Sequence, residues 1–318
     1  MRLMSFVLLL QFLLLSTFVS AQDEFRVVGY YSLNAAQTEE VKNVPFKQLT
    51  HVNLWFLNPD TEGNFVNDLS GLVPFVETAH KHNVKVLFSI GGGSHQPQYQ
   101  ALLEAGQRSR FIESLVNQVI KYGLDGLDVD LESANIDENY EAFVTELGVA
   151  LRAQNKLMTA AIAVYYKDQL TDKAIAQFDF VNVMSYDRTG PWRPEKPGPH
   201  ALYEHAVDDL TYFGEDRQVP KGKMTLGVPF YGYGYGPELT SKAISMSYGK
   251  IVETFEGSEL KDEWTMPDGK ILYYNGIPTM QKKVALAKER ASGIMIWQIQ
   301  GDAKGSKSLL RVINKAAK

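Results

Sequence analysis

The chain of 318 residues contains no cysteine, which excludes disulfides, thiolate metal sites and an anchor built on a lipid-modified cysteine. If exported, such a chain must be held together by its core alone. After the first twenty-odd residues there is no apolar run long enough to cross a bilayer. Histidine is sparse. His51, His80, His82, His95, His200 and His205 are scattered, and only His80 and His82 lie close together. A helix end accounts for that pair through the helix dipole. Metal-ligand spacings, a phosphate loop, a dinucleotide fingerprint and a Gly-x-Ser-x-Gly elbow are all lacking, so neither a metal nor a cofactor is expected. Basic runs are missing too. With 32 Lys and Arg against 37 Asp and Glu, no nucleic-acid partner is expected, and a neutral substrate suits the chain better than a polyanion.

What is present begins with a leader. Arg2 supplies a positive start, Val7 to Leu15 is nearly all apolar, and Val19-Ser20-Ala21 ends in small residues. That is the form of a secretory signal peptide, so residues 1–21 are expected to be removed and the protein to be secreted or periplasmic, with no membrane association afterwards. Residues 22–318 are then one domain of a size normal for a decorated α/β barrel. Aromatics make up 11% of the chain, 16 of them tyrosine. Most serve the core, but they also offer faces on which sugar rings stack.

Eight apolar runs suit buried parallel strands: Arg26–Ser32, Thr50–Leu57, Val84–Ser89, Gly126–Glu132, Met158–Val164, Phe178–Tyr186, Met224–Tyr231 and Gly293–Gln298. Helical periodicity lies between them. Phe111, Leu115, Val119 and Ile120 repeat at helical spacing, as do Phe143, Leu147, Ala150 and Leu151. Further helices are predicted over Leu72–Lys81, Leu202–Phe213, Met280–Arg290 and Ser306–Ala317. The alternation predicts a single (β/α)8 TIM barrel in the α/β class, with an open doubly wound sheet as the alternative. The irregular interval Gly232–Gly276 predicts a small, partly β decoration between the last two strands, its Asp268-Gly269 and Asn275-Gly276 pairs marking turns.

Within the fourth run, Asp125-Gly126-Leu127-Asp128-Val129-Asp130-Leu131-Glu132 carries acids at every second position. Residues two apart on a strand share a face, so Asp128, Asp130 and Glu132 project together while Leu127, Val129 and Leu131 face away. Three neighbouring carboxylates cannot all ionise cheaply, and carboxylates displaced in this way are how enzymes hold a protonated acid near neutral pH. A solvated strand face or a calcium loop would also be rich in Asp, but the order of residues does not match the calcium loop.

Barrel active sites form at the C-terminal ends of strands. There the third run ends in Ser89-Ile90-Gly91-Gly92-Gly93, whose glycines would let a ligand approach the backbone. The sixth ends in Met184-Ser185-Tyr186-Asp187, followed by Gly190-Pro191-Trp192. Tyr186 there is a good donor toward developing charge. Tyr231 closes the seventh run, Trp297 lies near the end of the eighth, and the first and second add Tyr30 and Phe56.

These residues resemble the family 18 glycoside hydrolases, the chitinase family. The match to the Asp-x-x-Asp-x-Asp-x-Glu signature is complete at Asp125, Asp128, Asp130 and Glu132. It extends in order to Ser89–Gly92, to Met184–Asp187 and to Trp297. The resemblance implies a retaining, substrate-assisted mechanism, an exception to the two-carboxylate scheme. Glu132 would be the acid and then the base, Asp130 would orient the acetamido group with Asp128 behind it, and Tyr186 would bond the acetamido oxygen. Asp187 would help hold the same sugar. Trp297 would floor that subsite, lined by Tyr30, Phe56 and Met184, with Trp192 and Tyr231 near the cleavage point. The implied partner is an N-acetylglucosamine-containing oligo- or polysaccharide, bound by a monomer. Leu131 and Ser133-Ala134 depart from the Trp and aromatic-Pro that many chitinases carry around the acid. The short decoration suggests a shallow groove and endo action or short oligosaccharides. Two other functions fit the same scaffold: an endo-β-N-acetylglucosaminidase cutting the chitobiose core of N-glycans, and a catalytically silent glycan-binding protein.

Overall fold

Three properties of the eight apolar runs, their length, their β-branched content and their burial on both faces, make them strands of a closed parallel barrel. The computed structural model describes residues 25–236 and 243–318, and the leader segment lies outside them. The barrel strands are β1 (Arg26–Ser32), β2 (His51–Trp55), β3 (Lys85–Gly91), β4 (Gly126–Asp130), β5 (Leu157–Ile162), β6 (Phe180–Val183) and β7 (Met224–Pro229). After the decoration strands β8 (Tyr231–Tyr235), β9 (Ile244–Ser247), β10 (Glu263–Thr265) and β11 (Ile271–Tyr273), the strand β12 (Gly293–Trp297) closes the ring between β7 and β1. This is the expected TIM barrel.

Around it run α1 (Val73–Lys81), α2 (Gln98–Leu103), α3 (Ala105–Lys121), α4 (Tyr140–Ala153), α5 (Asp172–Ala176), α6 (Tyr203–Thr211), α7 (Tyr248–Thr254), α8 (Ile277–Arg290) and α9 (Leu309–Ala317). Each long helix buries one stripe. In α4 that stripe is Tyr140, Phe143, Val144, Leu147 and Leu151, and Phe143 stacks on Phe111 of α3 with ring centroids 5.8 Å apart. Leu127, Val129 and Leu131 are buried in the same outer layer, as the alternation requires. Helix α9 opens with Ser308 accepting from the Arg311 amide, while Asp302 accepts from the Leu309 and Leu310 amides.

Strand ends are shorter than the apolar runs suggested. The sixth strand ends at Val183 instead of Tyr186, its last registers being Ile162 of β5 and Leu226 of β7, although the Met184 amide still donates to the Ile162 carbonyl. The fourth stops at Asp130, yet Glu132 stays extended at φ −122°, ψ 150°, so the alternation of acids survives past the ladder. The decoration is a four-stranded antiparallel sheet ordered β10-β11-β8-β9. Only Phe230 separates β7 from β8, so this sheet grows directly out of the barrel wall. The turn at Asp268-Gly269 joins β10 to β11, whereas Asn275-Gly276 leads into α8.

His80, in the last turn of α1, hydrogen-bonds through Nε2 at 2.8 Å to Asp125, just before β4. Asp125 also accepts from the Val86 amide. The first acid of the signature therefore ties down the N-terminal end of β4, at the end of the barrel opposite Glu132. His82 stacks on Phe46.

Candidate active site

Parallel register decides what surrounds the acids. Asp128 lies opposite Ser89 of β3 and Thr159 of β5, and both hydroxyls donate to it. Ser89 Oγ reaches Oδ2 at 2.8 Å and Thr159 Oγ1 reaches Oδ1 at 2.5 Å. From across the barrel Tyr30 Oη donates to Oδ2 at 2.6 Å, and Asn182 Nδ2 to Oδ1 at 3.3 Å. Thr225 Oγ1 in turn donates to Asn182 Oδ1. Burial pushes the Asp128 carboxyl up and the four donors pull it back.

Asp130, opposite Gly91, is also buried but differently placed. Among the described residues its Oδ1 accepts no hydrogen bond. Burial holds its carboxyl well above the ordinary aspartate range, and the charges of Glu132 and Asp128 add to the effect. Glu132 accepts from Tyr166 Oη at 2.6 Å. Burial raises this carboxyl too, the Tyr166 bond offsets part of the rise, and the charge of Asp187 adds to it. Asp130 and Glu132 are thus both pushed upward and feel each other's charge, so their titrations are linked.

The cleft above them has a volume of about 620 Å³ and is lined by Asp130, Glu132, Phe56, Met184, Tyr186, Asp187, Trp192 and Trp297. Phe56 and Trp297 stack at 5.7 Å with ring planes 22° apart, making a broad aromatic wall. The peptide bonds Trp55–Phe56 and Trp297–Gln298 are cis. Among the described residues the hydroxyl of Tyr186 meets only the weak acceptor Met295 Sδ, at 3.8 Å. Its proton is free to be donated elsewhere. Asp187 sits at φ +61° and accepts from Tyr231 Oη at 2.6 Å, with His200 Nδ1 at 3.1 Å. Trp192 is 59% exposed, its ring edge-on to Tyr233.

Six of the residues singled out from the sequence do not line this cleft. Asp128, Tyr30 and Ser89 lie beneath it as one hydrogen-bonded set, and Tyr231 stands behind Asp187. Gly91 and Gly92 permit an approach of the protein to itself, not of a ligand. A side chain at Gly91 would sit 2.2 Å from the Asp130 carbonyl oxygen, and one at Gly92 would sit 2.5 Å from the Phe56 ring. Gly93, the last of the same glycine run, does line the cleft, as do Ser133, Ala163, Tyr165, Tyr166, Gln169 and Arg193, which the strand-end pattern did not single out. Tyr165 and Tyr166 follow the end of β5, where the strand-end rule applies as well as it does to the other strands. Gln169 and Arg193 belong to loops, where spacing carries no such signal. Among the described residues no group of three or more His, Asp or Glu could hold a metal.

The model of glycosyl hydrolases family 18 matches residues 26–302, nearly the whole barrel. The chain belongs to that family. This family 18 chain is 34% identical to the family 18 chitinase ChiB from the chitin utilization locus of Flavobacterium johnsoniae, with a TM-score of 0.82 over 93% of this chain and 94% of that one. It is 30% identical to a chitinase from Bacteroides thetaiotaomicron, with a TM-score of 0.74 over 92% and 96%. Among curated proteins it is 24% identical to Chitinase B of Serratia marcescens across 65% of this chain. It spans 58% of that protein's length and 9% of "Probable chitinase 10" of Drosophila melanogaster. In the family 18 chain the four signature acids run from just before β4 to just beyond it, the Ser-x-Gly-Gly element ends β3, and the Met-x-Tyr-Asp element follows β6.

Proposed function

We propose that the chain hydrolyses β-1,4 linkages between N-acetylglucosamine units, in chitin or its oligosaccharides, with the substrate's own acetamido group as nucleophile. The single observation that carries this reading is the contrast along one strand face. Among the described residues Asp128 is saturated with donors, Asp130 Oδ1 has none, and Glu132 holds one and opens on the cleft. A bare, buried carboxyl oxygen beside a protonatable acid is suited to accept an amide N–H from a bound sugar. That bond polarises the acetamido oxygen and aims it at the anomeric carbon. Tyr186, its proton uncommitted, would hydrogen-bond the same oxygen as it moves. Phe56 and Trp297 would hold the sugar face, and Asp187 one of its hydroxyls.

Glu132 delivers its proton to the glycosidic oxygen as the bond to the departing sugar breaks, and the acetamido oxygen bonds to the anomeric carbon. The resulting oxazolinium ion is opened by water, which gives its proton back to Glu132, so the configuration is retained. The chitinases at 30% and 34% identity support the substrate class. The presence of Glu132, Asp130 and Tyr186 together argues against a silent binding protein.

The test is to offer the protein chitin oligosaccharides and, separately, a high-mannose glycoprotein, reading products by mass spectrometry. Wild type should shorten the first and leave the second intact, and Glu132→Gln should lose at least a thousandfold in turnover while still binding sugar. Cleavage of the glycoprotein alone would move the assignment to the N-glycan core. Normal turnover by the variant would remove Glu132 from its role.

A further inference from the structure

The turn that follows β5 grips the acid at two points. Tyr166 Oη donates to Glu132 Oε2 at 2.6 Å. Three residues on, Gln169 Nε2 donates to the carbonyls of Ser133 and Ile136 at 3.1 and 3.2 Å, holding the backbone immediately beyond Glu132. Ser133 sits there at φ +51°, a left-handed conformation that a serine adopts only when its surroundings enforce it. The turn is itself closed, since the Gln169 and Leu170 amides both donate to the Tyr166 carbonyl. The other carboxyl oxygen, Oε1, faces Gly93: a side chain there would come within 3.4 Å of it.

We propose that Tyr166 is a positioning residue for the catalytic acid, holding Oε2 as the acceptor so that the proton delivered to substrate resides on Oε1, with Gln169 fixing the backbone beneath. This rests on Glu132 being the acid of the proposed reaction. A hydroxyl donor favours the ionised carboxylate and so opposes the effect of burial. Tyr166 keeps its own proton, because burial and then the charge of Glu132 hold its hydroxyl far above its usual range. The remaining titratable and charged groups around Glu132 are Asp130 on the same strand face, Tyr186 and Asp187 beyond β6, and Arg193 and Tyr165 in the cleft wall. None of them donates to Oε2 in Tyr166's place.

The decisive experiment titrates the Glu132 side-chain carboxyl by 13C NMR in wild type and in Tyr166→Phe, which keeps the ring and loses only the hydroxyl. The midpoint should rise by about one pH unit, and the alkaline limb of kcat/KM on a chitin oligosaccharide should rise with it. A midpoint that stays in place or falls overturns the proposal. The NMR arm needs no turnover, so it decides the role of Tyr166 separately from whether the protein is a chitinase, which the product analysis with Glu132→Gln decides.

Discussion

A buried carboxylate costs several kcal/mol unless donors surround it, and Asp128 is surrounded by Tyr30, Ser89, Thr159 and Asn182. These donors come from β1, β3, β5 and β6, so the barrel interior is built around one buried carboxyl. Its consequence reaches the next acid along. With the Asp128 oxygens occupied by four donors, a proton on Asp130 finds no acceptor there, which suits Asp130 to the bond with substrate proposed above. Thr159 supplies one of the two shortest of these bonds, and Val has nearly the same shape without the donor. Thr159→Val should therefore lower kcat about tenfold with little change in KM, since an interaction that orders the acids acts mainly in the transition state. Thr159→Ser should retain most activity. Steady-state kinetics on a chitin oligosaccharide separates the two. Equal losses in both variants would mean that the hydroxyl is not what matters.

At the scale of elements, the β3–β4 pairing sets the site. Gly91 lies at φ +97°, a conformation unfavourable to any other residue, and its α-carbon faces the Asp130 carbonyl. Gly91→Ala should destabilise the fold by roughly 3 kcal/mol, combining left-handed strain with a backbone clash, and should push Asp130 out of line. Thermal melts and kinetics would show both losses together, and a variant with normal stability and activity would refute this reading of the glycine. The strands, the long helices and the acid ladder were legible in the sequence because burial imposes periods of 2 and 3.6 on them. Phe143 with Leu147 and Leu151, or Asp128 with Asp130 and Glu132, announce themselves by spacing. The partners of these groups do not. Thr159 and Asn182 reach Asp128 through register between strands far apart in the chain, and Tyr166 reaches Glu132 from a turn. Gln169 and Arg193 sit in loops whose course depends on the packing of everything else. Pairing across a closed barrel is a three-dimensional property, and local pattern is silent about it.

At the scale of the whole molecule, the chain holds together without disulfides while carrying a mutually repelling set of acids at the centre of its barrel. Such a site should detract from stability, and the sign can be worked out. The folded-state pKa of Asp130 lies well above the ordinary value of 3.8. Between those two values the folded protein binds more protons than the unfolded chain, so stability falls as pH rises through that window and then levels off. Asparagine at this position cannot ionise, and it also spares Glu132 a neighbouring charge. Asp130→Asn should therefore melt at about the same temperature as wild type near pH 4, and higher by about 3 °C at neutral pH. That shift corresponds to roughly 1 kcal/mol for a domain of this size. Lys283 bears on the same measurement with the opposite sign. It is fully buried, donates to the carbonyl of Ala201 and to Asn275 Oδ1, and burial lowers its pKa to about 7. Its contribution makes stability rise from about pH 7 upward toward its unfolded value, in wild type and variant alike, so it cancels in the difference between them. Calorimetric melts of both proteins at several pH values from 4 to 8 would give that difference directly. A variant that is no more stable than wild type at neutral pH would show that the protein's own donors, not a waiting substrate, already stabilise Asp130.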